Sequence, residues 1–146
     1  MKVQIINKSS NPLPTYKHIG DAGMDVRANI DYDILLQPKQ RVIIDTGLYF
    51  NLPDNVEIQV RPRSGLAARN GITVLNSPGT LDPPYNGMLK IIVLNTSNES
   101  FQIQHGDRIA QIVFNKFETV TKFNVVDKFE TTTSRGEGGF GSTGIK

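Results

Sequence analysis

Residues Gly136–Lys146 read Gly-Glu-Gly-Gly-Phe-Gly-Ser-Thr-Gly-Ile-Lys. Glycine leaves backbone N–H groups unshielded, and several in succession can wrap an anion. Arg135, just before them, adds a rigid fork of donors that suits phosphate, and Ser142 and Thr143 add hydroxyls. Phe140 is the large apolar side chain among the glycines, and a planar ligand would give its ring a face to stack on. Such an arm could close over the phosphates and base of a nucleotide. The spacing Gly136-x-Gly138-x-x-Gly141 also spells a dinucleotide-binding fingerprint. That fingerprint requires a strand before it and a helix after it, so the match is rejected. A solvated, unstructured end explains the composition equally well.

Four other segments carry candidate chemistry. In Arg61-Pro-Arg-Ser-Gly-Leu-Ala67, Ser64 reads as the cap of a short helix. Its unpaired N–H groups, beside arginines, would seat a phosphate. An ordinary capped helix with solvated arginines is the bland alternative. In Asn76–Gly87, Asp82 could serve as a general base; it could equally start a turn before prolines, with Tyr85 a buried sheet aromatic. Asp21 and Asp25 straddle a glycine and could hold a hard cation through water, or belong to a solvated turn. In Gly106-Asp-Arg-Ile-Ala-Gln111, a turn leads into a core strand in which Gln111 is hydrogen-bonded. His18 and His105 have no companion ligand and read as loop residues, and the absence of cysteine removes thiolate metal sites and thiol nucleophiles.

The elements that must position these residues are mostly strands. Val3 and Ile5, then Val56, Ile58 and Val60, then Phe101 and Ile103 alternate with polar neighbours, a period of two. From Ile109 to Phe114 both sets of alternate positions are largely apolar, which predicts a strand buried on both faces. Turn signals at Asn11-Pro12, Pro53-Asp54-Asn55, Asn70-Gly71, Ser77-Pro78-Gly79, Asn86-Gly87 and His105-Gly106 separate the strands. Strands are predicted at Gly71–Leu75 and Met88–Leu94 as the arms of a hairpin around Asn76–Gly87, and one short helix at Ser64–Arg69. The expected fold is all-β, a sandwich, jelly roll or barrel, in one domain of 146 residues. A flexible arm is expected from Thr131 to Lys146, with the β domain at 1–130. Lys and Arg number 16 against 14 Asp and Glu, too small an excess to predict a nucleic-acid surface. No apolar run approaches the ~20 residues of a membrane span, and the N-terminus lacks a signal-peptide core. A soluble, cytoplasmic protein is expected, in the host cytoplasm if a virus encodes it.

In this order the segments resemble the motifs of the homotrimeric dUTPases, deoxyuridine triphosphate nucleotidohydrolases. The motifs fall at Ala22–Ala28, Arg61–Ala67, Asn76–Gly87, Gly106–Gln111 and Arg135–Gly144, so the resemblance covers essentially the whole chain. It implies a jelly-roll-like, β-clip subunit in a threefold assembly, each arm closing over a neighbour's site. The implied reaction is dUTP + water → dUMP + pyrophosphate, which limits uracil in DNA and supplies dUMP for thymidylate synthesis. Asp82 matches the family's base. Mg²⁺ would be held mainly by the triphosphate and touched through water by Asp25. Arg63, Ser64 and Gly65 would hold phosphates, with Gln111 as a further donor. Asn76 and the backbone of Thr80, Leu81 and Lys90 would position the nucleoside, and Tyr85 would pack under the deoxyribose and exclude a 2′-hydroxyl. Phe140 would stack on uracil, and Arg135, Gly141, Ser142 and Thr143 would close on the distal phosphates. No nucleic-acid or membrane partner is implied.

The third motif departs from the family. Pro84 stands where an acidic, polar or small residue is usual, and Asn86 where arginine is common, which bears on loop geometry and subunit contacts. Three competitors share the strand pattern. A dCTP deaminase would need a catalytic glutamate beside the hairpin, where Asp82 is the acidic residue. A non-catalytic nucleotide-binding module would have no use for Asp82 and the full tail. A structural jelly roll would leave the Arg-Ser-Gly and Gly-Phe-Gly-Ser-Thr-Gly segments without a purpose.

Overall fold

The computed structural model describes residues 1–131 and 133–139. Ten strands and one helix follow in the order β1 (Gln4–Asn7), β2 (Gly23–Arg27), β3 (Ile34–Leu36), β4 (Arg41–Asn51), β5 (Val56–Arg61), α1 (Ser64–Asn70), β6 (Ile72–Val74), β7 (Gly79–Leu81), β8 (Met88–Asn95), β9 (Phe101–Ile103) and β10 (Arg108–Lys116). They form a four-stranded sheet β1-β4-β8-β6, a second four-stranded sheet β2-β10-β5-β7, and the pair β3-β9. Among the described residues the strands pair antiparallel, as in β10 with both β2 and β5. The all-β expectation with a single short helix holds among the described residues, and the architecture is jelly-roll-like.

Alternation is the cause of the sandwich. Val56, Ile58 and Val60 on β5 are buried and their neighbours Glu57 and Gln59 are not. Ile44, Ile58, Ile72, Ile91, Ile103 and Ile112 are almost wholly buried and belong to one apolar cluster drawn from both four-stranded sheets and the β3-β9 pair. β-Branched side chains suit this pleated, two-sided packing. Two polar side chains are buried with their hydrogen bonds made. Thr46 Oγ1 donates to the Leu89 carbonyl at 2.7 Å. Asn95 donates to the carbonyls of Leu36 and Glu99 and accepts from Ser97. On β10, Ile109, Ala110, Ile112 and Val113 are all buried, as the double apolar run predicts.

Two elements differ from the sequence reading. The helix cap is Arg63, with extended backbone (φ −88, ψ 124) and no side-chain cap bond, whereas Ser64 is already helical. The Arg63 carbonyl accepts the first helical bond, from the Ala67 N–H at 3.0 Å, so the helix begins one residue earlier than a serine cap requires. The expected stop is present: Gly71 is left-handed (φ 65) and its N–H returns to the Ala67 and Leu66 carbonyls. The second difference is the hairpin. β6 and β8 do pair, but the chain between them crosses to the other sheet, where β7 pairs with β5.

The last strand ends at Lys116, and the Phe117 N–H is held by the Asn55 carbonyl at 3.1 Å. Glu118–Thr131 is exposed and without strand or helix. No helix among the described residues is long and apolar enough to cross a membrane.

Candidate active site

Strand order brings Asp25, Gln111 and Arg61 onto one rung. Gln111 on β10 faces Asp25 on β2 in one direction and Arg61 on β5 in the other. The chain leaves β5 through Pro62 and Arg63 into α1. Gln111 Nε2 donates to the Pro62 carbonyl at 2.9 Å and so ties that exit to the central strand. Arg63 reaches over the same rung, its Nε donating to Asp25 Oδ1 at 2.8 Å. Arg108 Nη1 donates to Asp25 Oδ2 at 3.3 Å, so one carboxylate lies between two guanidiniums. A further contact, Arg63 Nη1 to the Arg108 carbonyl at 3.2 Å, closes the group.

The start of α1 completes this cluster. Its first turn holds no acidic residue, so nothing in it offsets the positive end of the helix. Because the cap is Arg63 backbone, the Ser64 hydroxyl is not spent on capping. Gly65 leaves room for Arg69: a Cβ there would stand 2.8 Å from an Arg69 guanidinium nitrogen. Asp21 and Asp25 do not share a turn around Gly23. Gly23 begins β2, and Asp21 accepts the His18 N–H at 2.8 Å, one strand-start away from Asp25. A side chain at position 23 would overlap Gln111 Oε1, so glycine is required there for Gln111 to lie across β2. His18 and His105 are loop residues, the latter bonded through Nε2 to Ser10 Oγ at 2.9 Å.

The second cluster lies around a cavity of about 240 Å³ whose lining includes Asn76, Thr80, Leu81, Asp82, Tyr85 and Lys90, with Val74, Met88 and Ile92 as apolar walls. That volume is below the ~300–1,000 Å³ of whole small-molecule sites and suits part of a ligand. β6 and β8 supply the walls and the crossing strand β7 supplies the rim. Asp82 follows β7 and is exposed; its carbonyl accepts the Tyr85 N–H at 3.0 Å in a turn. Tyr85 is half exposed, not a buried sheet aromatic, and its hydroxyl donates to the Met88 carbonyl at 3.2 Å. Gly87 permits that close approach, since a Cβ there would collide with the tyrosine ring. The Lys90 ammonium is paired with Asp45, directly opposite on β4, at 3.1 Å.

The two clusters lie at different levels of the sheet. Leu81 pairs with Ile58, so Asp82 sits near the level of Glu57, six residues from Arg63 (57 to 63) along the strand direction. At ~3.3 Å per residue this is up to roughly 20 Å. Of the tail residues, Arg135 is exposed and its Nε donates to the Gly138 carbonyl at 2.9 Å. Phe140, Gly141, Ser142 and Thr143 lie outside the described residues. Sequence reasoning left Arg108 without a role, although it stands in a segment already singled out.

The dUTPase family model matches residues 9–144. The chain belongs to the dUTPase family. A deoxyuridine 5'-triphosphate nucleotidohydrolase of Finegoldia magna is 51% identical over 144 residues, covering 99% of each chain. Among solved structures, a Staphylococcus bacteriophage 80alpha dUTPase with dUpNHpp superposes at TM-score 0.88 and 25% identity, covering 99% of each chain. A phage phi11 dUTPase variant, described with a structural Mg(II) ion, superposes at 0.79 and 22% identity, covering 90% of this chain and 100% of that one. Family membership makes this chain an enzyme of the dUTP diphosphatase class.

Proposed function

We propose that the chain hydrolyses dUTP to dUMP and pyrophosphate, in sites that form where copies of a homotrimer meet. The observation that carries this is the cavity that collects Asp82, Asn76 and Tyr85 in a member of the dUTPase family. In one chain the two polar clusters stand up to ~20 Å apart along the strand direction, and contact between copies would bring a second set of them onto one triphosphate. A neighbour's Arg63, Ser64, Gly65 and Gln111 would face this chain's nucleoside cavity. Phe123, Val125 and Phe129, exposed on the chain after β10, add apolar surface that another copy would cover.

The reaction follows from these positions. Uracil enters the cavity, where the backbone of Thr80 and Leu81 offers a donor to O4 and an acceptor to N3–H. Cytosine reverses that pattern and leaves buried groups unpaired, a loss that can discriminate by ~10⁴ or more. A 5-methyl group would be excluded sterically. Tyr85 packs under the deoxyribose, where a 2′-hydroxyl would not fit, and Asn76 and the Lys90 backbone hold the nucleoside. Asp82 takes a proton from a water as its oxygen bonds to the α-phosphorus, and the bond to the bridging oxygen breaks, pyrophosphate leaving with the electron pair. Arg63, Ser64, Gly65 and Gln111 hold the phosphates in line for that displacement. Arg135, Gly141, Ser142 and Thr143 close on the distal phosphates, and Phe140 stacks on uracil.

The donor set fits Mg²⁺ carried in by the substrate. Among the described residues no three or more His, Cys, Asp or Glu side chains converge on a metal site, and Asp25, already shared by two arginines, suits a contact through water. The ion, when bound, would chelate the triphosphate and offset leaving-group charge. The enzyme would act in the cytoplasm, on the free nucleotide pool. Incubation with dUTP, dCTP, dTTP and UTP, with and without Mg²⁺, tests the assignment. Pyrophosphate from dUTP alone, dependent on Mg²⁺, is expected; ammonia from dCTP would replace it with a deaminase.

A further inference from the structure

Arg108 reaches Asp25 because of an irregularity in β10. Gln111 pairs with Asp25 and Ala110 with Val26, but the register then shifts, and Arg108 pairs with Arg27. Ile109 is the extra residue. A one-residue insertion reverses the face on which the following side chains fall. Ile109 and Ala110 are accordingly both buried, while Arg108 stands on the outer face beside Asp25. In an unbroken ladder Arg108 would share the inward face of Ala110. The consequence is a carboxylate held at both oxygens: Arg63 Nε on Oδ1 at 2.8 Å, Arg108 Nη1 on Oδ2 at 3.3 Å. The Arg108 carbonyl also accepts from Arg63 Nη1 at 3.2 Å. Arg63 is thereby held at both Nε and Nη1, and among the described residues its Nη2 makes no hydrogen bond, so those N–H groups can serve a ligand.

We propose that Arg108 is a positioning residue for phosphate binding: through Asp25 it fixes the direction in which Arg63 presents its unused N–H groups. The assignment rests on the reading of Arg63 as a phosphate ligand. The bulge makes Arg108 part of the site's support, because it serves no core contact and brings a second cation to a carboxylate that Arg63 alone would leave free to rotate.

A double-mutant cycle separates positioning from direct contact. Arg108→Gln is expected to lower kcat/KM for dUTP by about tenfold in the wild-type background and by less than about twofold when Arg63 is already alanine. Arg108→Lys, which keeps the charge, is expected to recover part of the loss, and it runs the same cycle if the glutamine variant melts early. Equal losses in both backgrounds would overturn the proposal, as would a lowered melting temperature with unchanged kcat/KM. If the wild-type chain released no pyrophosphate from dUTP, the proposed function would fail on its own. The cycle would then be read in the affinity for inorganic tripolyphosphate, with coupling expected and additivity contradicting it.

Discussion

Asp25 accepts from two guanidiniums, yet the side chains of Arg63, Asp25 and Arg108 are 25%, 33% and 49% exposed. Ion pairs so hydrated contribute ~0–1 kcal/mol each to stability. Asp25→Asn is therefore expected to lower the melting temperature by only a few degrees, about 2–4 °C per kcal/mol in a domain near this size. Its effect on turnover should be far larger, on the order of 100-fold, because a small misplacement of a phosphate ligand has that consequence. Calorimetry beside a pyrophosphate assay reads both. Residue types were legible here: Asp25, Arg63, Asp82 and Gln111 could be singled out by their chemistry. Their partners were not. Nothing in the spacing of Arg63 and Arg108 says that they meet on one carboxylate, because that contact joins residues 45 apart. Ser64 was misread by a single position, since a serine that caps a helix and one that begins it look alike until the Arg63 backbone is seen.

At the scale of elements, the rung Asp25–Gln111–Arg61 depends on Gly23. Its missing side chain makes the space in which the Gln111 amide lies across β2 and holds Pro62. Gly23→Ala should push that amide aside. Because Gln111 is only half buried, it can move, so the loss in stability should be small, within about 1 kcal/mol. kcat/KM for dUTP should fall about tenfold or more as the exit from β5 loosens; a melting curve and a kinetic series check the split. Alternation made the strands legible, and Asn70-Gly71 marked the end of α1. β7 was hidden because three residues, Gly79–Leu81, are too few to carry a period. The shift at Ile109 was hidden for another reason. Isoleucine and alanine in succession read the same whether a strand is buried on both faces or bulged.

At the scale of the molecule, the proposed site needs residues from more than one copy of the chain. Deleting Arg135–Lys146 should leave the melting temperature unchanged, since the hydrogen bonds of the described part of that segment run only among Thr133–Gly138, apart from the β sheets. It should lower kcat/KM severely, by about 100-fold or more. Mixing subunits gives a second test. Chains carrying Asp82→Asn and chains carrying Arg63→Ala, each nearly inactive alone, should recover a fraction of wild-type activity after being unfolded and refolded together. No recovery would mean that each site lies within one chain. The all-β class was legible in the sequence, but the sheet orders were not. β1 beside β4 and β2 beside β10 are long-range pairings, and one sequence without structure holds no record of which strands meet.

The central claim is that Asp82 activates a water that attacks the α-phosphorus of dUTP. Hydrolysis in oxygen-18 water, followed by mass spectrometry of both products, tests it most directly, with Asp82→Asn run in parallel. The wild-type chain should place the label in dUMP and none in pyrophosphate, and the variant should bind dUpNHpp as the wild type does while releasing product at least ~100-fold more slowly. Label in the pyrophosphate, or an Asp82→Asn chain that turns over at the wild-type rate, would contradict it.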